Sequence, residues 1–154
     1  MAVQVVSKED FLAAAGTKLE PGEWVEMSQA RINEFAECTE DRQFIHIDEE
    51  NAAKTPFGGT IAHGLLTLSM LVKMTESANI VPENIMMGVN YGFDKIRFLA
   101  PVRAGKRVRA HVEVAEVTQK DDNRFVSKLA ISVEIEGEET PALIAEWMNM
   151  FVVA

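Results

Sequence analysis

From Ile61 to Met74 the apolar residues Ile61, Ala62, Leu65, Leu66, Leu68, Met70, Leu71, Val72 and Met74 leave almost no polar stripe at helical spacing. A helix that is apolar all round belongs in an interior. Thr67, Ser69 and Lys73 interrupt the run, and a membrane span requires about 18 to 20 unbroken apolar residues. The pattern therefore predicts a core helix covered by sheet. Gly58, Gly59, His63 and Gly64 mark its start, where glycines let other groups approach the backbone and the first turn has unpaired N–H donors that suit a partial negative charge.

Upstream, Ser7 with Glu9 and Asp10 predicts a short surface helix carrying Phe11 and Leu12 and stopped by Gly16. Pro21-Gly22 predicts a turn, Trp24 to Met27 a brief strand, and Ser28 the cap of a helix running to about Thr39 on an apolar face of Ile32, Phe35 and Ala36. Glu40 to Asp48 shows neither periodicity nor turn residues and reads as an irregular loop. Asp48 predicts a cap for a helix from Glu49 to Lys54, and Thr55 to Gly59 a loop into the central helix.

Past a connection at Pro82 to Asn84, alternation takes over. Val89, Tyr91 and Phe93 share one phase while Ile96 and Phe98 take the other, which predicts a bulge near Asp94-Lys95. Val108, Ala110, Val112 and Val114 face one way and Arg107, Arg109, His111 and Glu113 the other. Phe125, Leu129, Ile131, Val133 and Ile135 predict the next inward face. Leu143 to Val153 is apolar on both sides, as a strand is when it is central or covered by another subunit. One buried helix and four long strands with brief connections make an α+β domain, a single one over residues 1–154, without repeat or linker.

Charge narrows the function. The 15 basic against 24 acidic residues give a net −9, which argues against a general nucleic-acid binder. Cys38, the single cysteine, leaves no intrachain disulfide or cysteine zinc site and fits a reducing compartment. The opening MAVQVVSKED lacks a charged start followed by a long apolar core, so no secretory signal is read and the cytoplasm is the expected location. Lys95, Arg97, Arg103 and Lys106 are the one basic concentration, suited to phosphate groups or to pairing with surface carboxylates.

Two of the three histidines lie near the loop and the helix start. Four residues separate Asp41 from His46, so one loop can offer a carboxylate and an imidazole to a common water, as general acid–base chemistry needs. Facing a helix start that holds an oxyanion, they suit adding or removing water beside a carbonyl. Plainer roles stand beside this one: a loop hydrogen bond for Asp41 and His46, a cap for Asp48, packing for His63, close contact for Gly64, solvation for His111, and a bond back to a carbonyl for Ser69. A metal site from Asp41, His46, Asp48 and His63 lacks any known ligand spacing.

Asp41 with His46, followed by Ile61-Ala62-His63-Gly64 and Ser69, resembles the hydratase motif of the MaoC-like dehydratases and (R)-specific enoyl-CoA hydratases. Within that family the chain is most similar to proteins of the nodulation protein N type, through Phe44-Ile45-His46-Ile47-Asp48, Pro56-Phe57-Gly58-Gly59-Thr60-Ile61-Ala62-His63-Gly64, Leu66-Thr67-Leu68-Ser69 and Asn90 to Phe98. The resemblance implies a hot-dog fold, an antiparallel sheet wrapped around a central buried helix, and a homodimer formed by pairing sheets. It implies reversible hydration of trans-2-enoyl thioesters of coenzyme A or acyl carrier protein to the (R)-3-hydroxyacyl form, with no metal and no cofactor beyond the coenzyme A or phosphopantetheine of the substrate. Asp41 and His46 would share the catalytic water and the Gly64 N–H would bind the thioester oxygen. Ser69 would support the Asp41 side, Ile61, His63 and Phe57 would contact substrate, and Lys95 and Arg97 would meet phosphates. Gln43 and Phe44 stand where the broader family has Asn-Pro, a departure that bears on the loop and the pocket width. An acyl-CoA thioesterase and a non-catalytic acyl-thioester binding module are the alternatives on the same fold.

Overall fold

The structure is a computed structural model and describes residues 3–154; Met1 and Ala2, part of the stretch read for a leader, lie outside the described residues. In chain order the elements are β1 (Gln4–Val6), α1 (Lys8–Leu12), β2 (Val25–Glu26), α2 (Gln29–Thr39), α3 (Phe44–Ile47), α4 (Glu49–Ala52), α5 (Gly64–Ser69), α6 (Leu71–Met74), β3 (Ile80–Pro82), β4 (Ile85–Phe98), β5 (Arg107–Gln119), β6 (Arg124–Ile135) and β7 (Leu143–Val153). The expected caps form: the side chains of Ser7, Ser28 and Asp48 accept from the N–H groups of Asp10, Arg31 and Asn51. Each satisfies a donor that the first helical turn leaves unpaired.

The main sheet has the order β2-β5-β6-β7-β4, and every pairing in it is antiparallel. β7 sits between β6 and β4, the central position expected of it, with one face mostly buried in the core and the other half-buried. Its register with β4 shifts between Phe93 and Lys95, where the phase of the alternation changes, and again between Asn90 and Gly92 and between Ile85 and Met87. Such bulges bend and twist a strand, and here they help β4 and β7 curl. Gln4–Val6 and Ile80–Pro82 form a separate parallel pair. That pair carries no local signal because each strand is three residues long, and it puts Pro82 inside a strand instead of a connection.

Leu66, Leu71 and Met74 share one core with Val108, Ala110, Val112, Leu129 and Trp147. Full burial of one such side chain is worth about 1.5 to 3 kcal/mol. The central helix differs from expectation in two ways. It begins at Gly64, since Thr60 to Ala62 pair instead with the crossover from β4 to β5: Ala62 N–H donates to Val102 O (2.7 Å) and Ala104 N–H to Thr60 O (2.9 Å). Met70 then divides it into α5 and α6. Only one side of it is covered, and Leu65 and Val72 remain 61 % and 60 % exposed. Among the described residues no helix is long and apolar enough to cross a membrane.

Gly22 ties the helix to the sheet. Its N–H donates to Ala110 O at 2.9 Å, and a Cβ there would sit 1.9 Å from the Met74 carbonyl oxygen. Neither backbone can yield without breaking its own bonds. Gly22→Ala is expected to cost about 1 to 3 kcal/mol, as overpacking does, read as a lower urea midpoint with an unchanged slope.

Candidate active site

α2 ends where Glu40 adopts a left-handed conformation (φ 61°), which turns the chain sharply so that Asp41 starts a new direction. The expected irregular loop then contains one helical turn, α3, with His46 N–H donating to Gln43 O at 3.0 Å. Gln43 and Phe44, the residues that depart from Asn-Pro, are the cap and first residue of that turn.

His46 is buried, and its Nδ1 lies 2.7 Å from Ile61 O. A carbonyl oxygen only accepts, so Nδ1 carries the proton and the neutral ring keeps its lone pair at Nε2. The same physics applies to His63, whose Nε2 donates to the backbone oxygen of Asp41 at 2.9 Å. Its Nδ1 is buried without a partner. The two imidazoles stack with centroids 3.8 Å apart and planes 23° from parallel, and Phe35 closes over His63 at 4.9 Å. His63 occupies the cap position of α5, yet its side chain makes no cap bond.

One oxygen or nitrogen from each of Asp41, His46 and His63 lies within 4.8 Å of the other two. These groups are of metal-ligand type, but stacked rings 3.8 Å apart direct their in-plane lone pairs alongside one another instead of at one point. A zinc ion about 2.0 Å from each nitrogen needs convergent ring planes. Asp48 stands outside this group and caps α4. The pKa of His46 is held below the ordinary imidazole value, chiefly by burial and also by the neighbouring His63, against the opposing effects of the Ile61 carbonyl and Asp41.

A cavity of about 270 Å³ opens beside this cluster, lined by His46, Ile61, Gly64, Thr67, Phe98 and Leu143 among others. Gly64 is the first residue of α5, so its N–H has no carbonyl one turn behind it. A Cβ on Gly64 would stand 2.9 Å from Phe98 Cδ1. The close approach that requires glycine is thus made by an aromatic ring at the cavity and not by a second helix.

The structure brings Asp41, His46 and His63 together, and His46, Ile61 and Gly64 onto one cavity. It does not bring the remaining candidates there. Ser69 Oγ donates to Leu65 O at 2.7 Å, and Ser69 opens with Met70 and Val72 onto a second hollow of about 630 Å³ against Val89, Asn90 and Trp147. Phe57 lies in the exposed loop ahead of Thr60. Lys95 and Arg97 are exposed on β4, Arg97 bonding its neighbour Ile96 O. Arg103 donates to Gly58 O at 2.6 Å. Of the four cations expected to meet phosphates or carboxylates, Lys106 alone has a carboxylate partner among the described residues, Glu138 at 3.6 Å. His111 is half-exposed but paired with Glu134 at 2.6 Å, so it is not simply solvated.

Sequence reasoning gave no role to Gln29, Thr60, Thr67 or Phe98. Thr67 had a signal, a hydroxyl on the buried side of an apolar helix. Gln29 had none, being an ordinary residue after a serine cap.

The profile of the MaoC like domain family matches residues 10–135. The chain is 42 % identical over 146 residues to Nodulation protein N of Rhizobium leguminosarum bv. viciae, covering 94 % of this chain and 91 % of that one. It is 40 % identical over 146 residues to the 3-hydroxyacyl-thioester dehydratase Z of Mycobacterium tuberculosis, covering 95 % and 96 %. Among solved structures, the monoamine oxidase regulatory protein from Archaeoglobus fulgius superimposes with a TM-score of 0.77 at 26 % identity, covering 100 % of this chain and 99 % of that one. The hot-dog architecture is shared with such neighbours.

Burial of His46 has a consequence for titration and stability. In an NMR pH titration its imidazole midpoint is expected below about 6.5, the unperturbed value. The folded state resists a proton that the unfolded chain accepts near that pH, so this group's contribution to stability is present above it and declines as pH falls through the folded midpoint. Urea midpoints between pH 7.5 and 5.5 should therefore fall more steeply for the wild type than for His46→Gln.

Proposed function

The chain belongs to the MaoC-like dehydratase family, and on that footing we propose that it reversibly hydrates trans-2-enoyl thioesters of coenzyme A or acyl carrier protein to (R)-3-hydroxyacyl thioesters. The observation that carries this is the lone pair of His46 Nε2, kept free by the Nδ1 bond to Ile61 O, in a ring that lines one cavity with Gly64 and lies beside Asp41. The similarity to a protein named as a 3-hydroxyacyl-thioester dehydratase supports the same chemistry. The R configuration follows the resemblance to R-specific hydratases.

In this mechanism Asp41 and His46 hold the water between them. As its oxygen bonds to the β-carbon, His46 Nε2 takes one of its protons and the double-bond electrons move toward the thioester oxygen. The Gly64 N–H meets the charge that develops there, a contact typically worth about 3 to 4 kcal/mol of barrier. The proton then returns to the α-carbon and the thioester carbonyl reforms. Water thus supplies both the hydroxyl and the hydrogen, and Asp41 orients it and steadies the imidazolium. No electrons are exchanged with the protein, so the step calls for no redox cofactor, and coenzyme A or phosphopantetheine arrives with the substrate. Ile61 and His63 act by holding His46 and Asp41, while Lys95 and Arg97, exposed and without carboxylate partners among the described residues, are available to the phosphates. The cytoplasm suits such substrates.

A homodimer formed through β4 belongs to the same proposal. β4 is a sheet edge 14 residues long, and Met86, Met87, Val89 and Tyr91 on it are 68, 53, 43 and 53 % exposed. A long apolar edge is a template for pairing with another strand. A second copy would cover it. Val89→Asp is expected to shift sedimentation from dimer to monomer.

Hydration is tested by loss of enoyl absorbance across a panel of trans-2-enoyl-CoA lengths, with thiol release followed in parallel. Asp41→Asn and His46→Gln are each expected to lower kcat by about 10² to 10⁴ with unchanged circular dichroism. Near-normal turnover in both variants would sink the assignment, and thiol release without reversible enoyl loss would point to hydrolysis.

A further inference from the structure

Gln29 is the first residue of α2, and its side chain reaches the two segments that meet at the cavity. Its Nε2 donates to the His46 backbone oxygen at 2.7 Å and to Asn33 Oδ1 at 2.8 Å, and its Oε1 accepts from the hydroxyl of Thr60. His46 O can only accept, so the amide end that faces it must be the nitrogen. Thr60 is 4 % exposed and is itself held by the crossover through Ala104 N–H. With the His46 carbonyl setting which end is the nitrogen, the Thr60 hydroxyl donates to the amide oxygen and holds that end in place.

The turn that carries His46 needs such a restraint. α3 is four residues long with no side-chain cap, too short to be stable by itself. The oxygen of His46 is one of the terminal carbonyls that a helix leaves unsatisfied, and Gln29 satisfies it. His46 is then held at three atoms: its N–H by Gln43 O, its oxygen by Gln29 and its ring Nδ1 by Ile61 O. With the oxygen released, His46 keeps only its N–H and Nδ1 bonds, and the turn, still tied through Ile61 N–H to Ile45 O, can tilt about them and shift Nε2 relative to Gly64.

We infer that Gln29, oriented by Thr60, is a positioning residue for His46: its side-chain amide sets where the Nε2 lone pair stands relative to the Gly64 N–H. The inference rests on the hydratase mechanism above. It assigns Gln29 no contact with substrate, so its loss should act on kcat more than on KM. A misplacement of about 1 Å can cost on the order of 10² in rate.

The experiment uses the full chain, with Gln29→Met matching the length without the hydrogen bonds, Thr60→Val removing the hydroxyl and Thr60→Ser keeping it. The expected result is a kcat at least tenfold lower for Gln29→Met and Thr60→Val, with KM within twofold, near-normal kcat for Thr60→Ser, and shifted or broadened His46 imidazole resonances in the two impaired variants. A lower melting temperature with wild-type kcat and unchanged His46 resonances, measured well below that temperature, would overturn the inference and leave Gln29 a structural residue. If the wild type hydrates no enoyl thioester, the proposed function fails, and the His46 resonances still decide whether Gln29 holds the ring.

Discussion

Three residues of extended chain, Thr60 to Ala62, hold the candidate site together. They pair with the crossover that leaves β4 for β5, so the start of α5 is tied to the end of the sheet. Ile61 carries the constraint further, its N–H donating to Ile45 O and its oxygen accepting from the His46 ring. Both neighbours of Ile61 extend it, Thr60 to Gln29 and Ala62 to Val102. Two segments distant in the chain thereby become one rigid unit. Arrangements that must hold a proton acceptor within about half an ångström of its working position are built in this way, from backbone pairing supported by buried side-chain bonds.

Burial gives that unit its electrostatics. On a chain of net charge −9, two imidazoles lie stacked and buried, each with one nitrogen committed to a carbonyl oxygen. Removing a charged ring from water is costly, and a second ring 3.8 Å away adds repulsion when both are protonated. The neutral form of His46 is favoured, and its bond to the Ile61 carbonyl selects the tautomer. Asp41, exposed beside the two rings, is the nearby carboxylate whose charge opposes the lowering of the His46 pKa. Acidity elsewhere contributes little, because exposed charges beyond a Debye length of about 8 Å are screened.

The chain leaves two surfaces uncovered that are related by the fold. The edge strand β4 offers unpaired backbone and apolar side chains, and the uncovered side of α5 and α6 offers Leu65 and Val72. Contiguous exposed apolar surface marks contact with something else. The second hollow, bounded by Ser69, Val72, Val89 and Trp147, lies where these two surfaces meet. Ser69 therefore opens onto these uncovered surfaces and not onto the cavity beside His46.

What the chain determines locally was legible in it. Caps at Ser7, Ser28 and Asp48, the alternation of β5 and β6, and the phase change at Asp94-Lys95 depend on neighbours a few residues away, so periodicity and side-chain type reported them. The association of Asp41 with His46 was legible for the same reason, being five positions apart on one loop. The extent of the central helix was not, because pairing with Val102 to Ala104 overrides helical propensity at Ile61 and Ala62. The β1–β3 pair, the stack of His46 on His63, the Phe98 ring against Gly64 and the Gln29 amide on the His46 carbonyl also escaped, since each joins residues between 17 and 76 positions apart. Which atom of His46 keeps its lone pair was decided only when folding brought the Ile61 carbonyl to the other nitrogen.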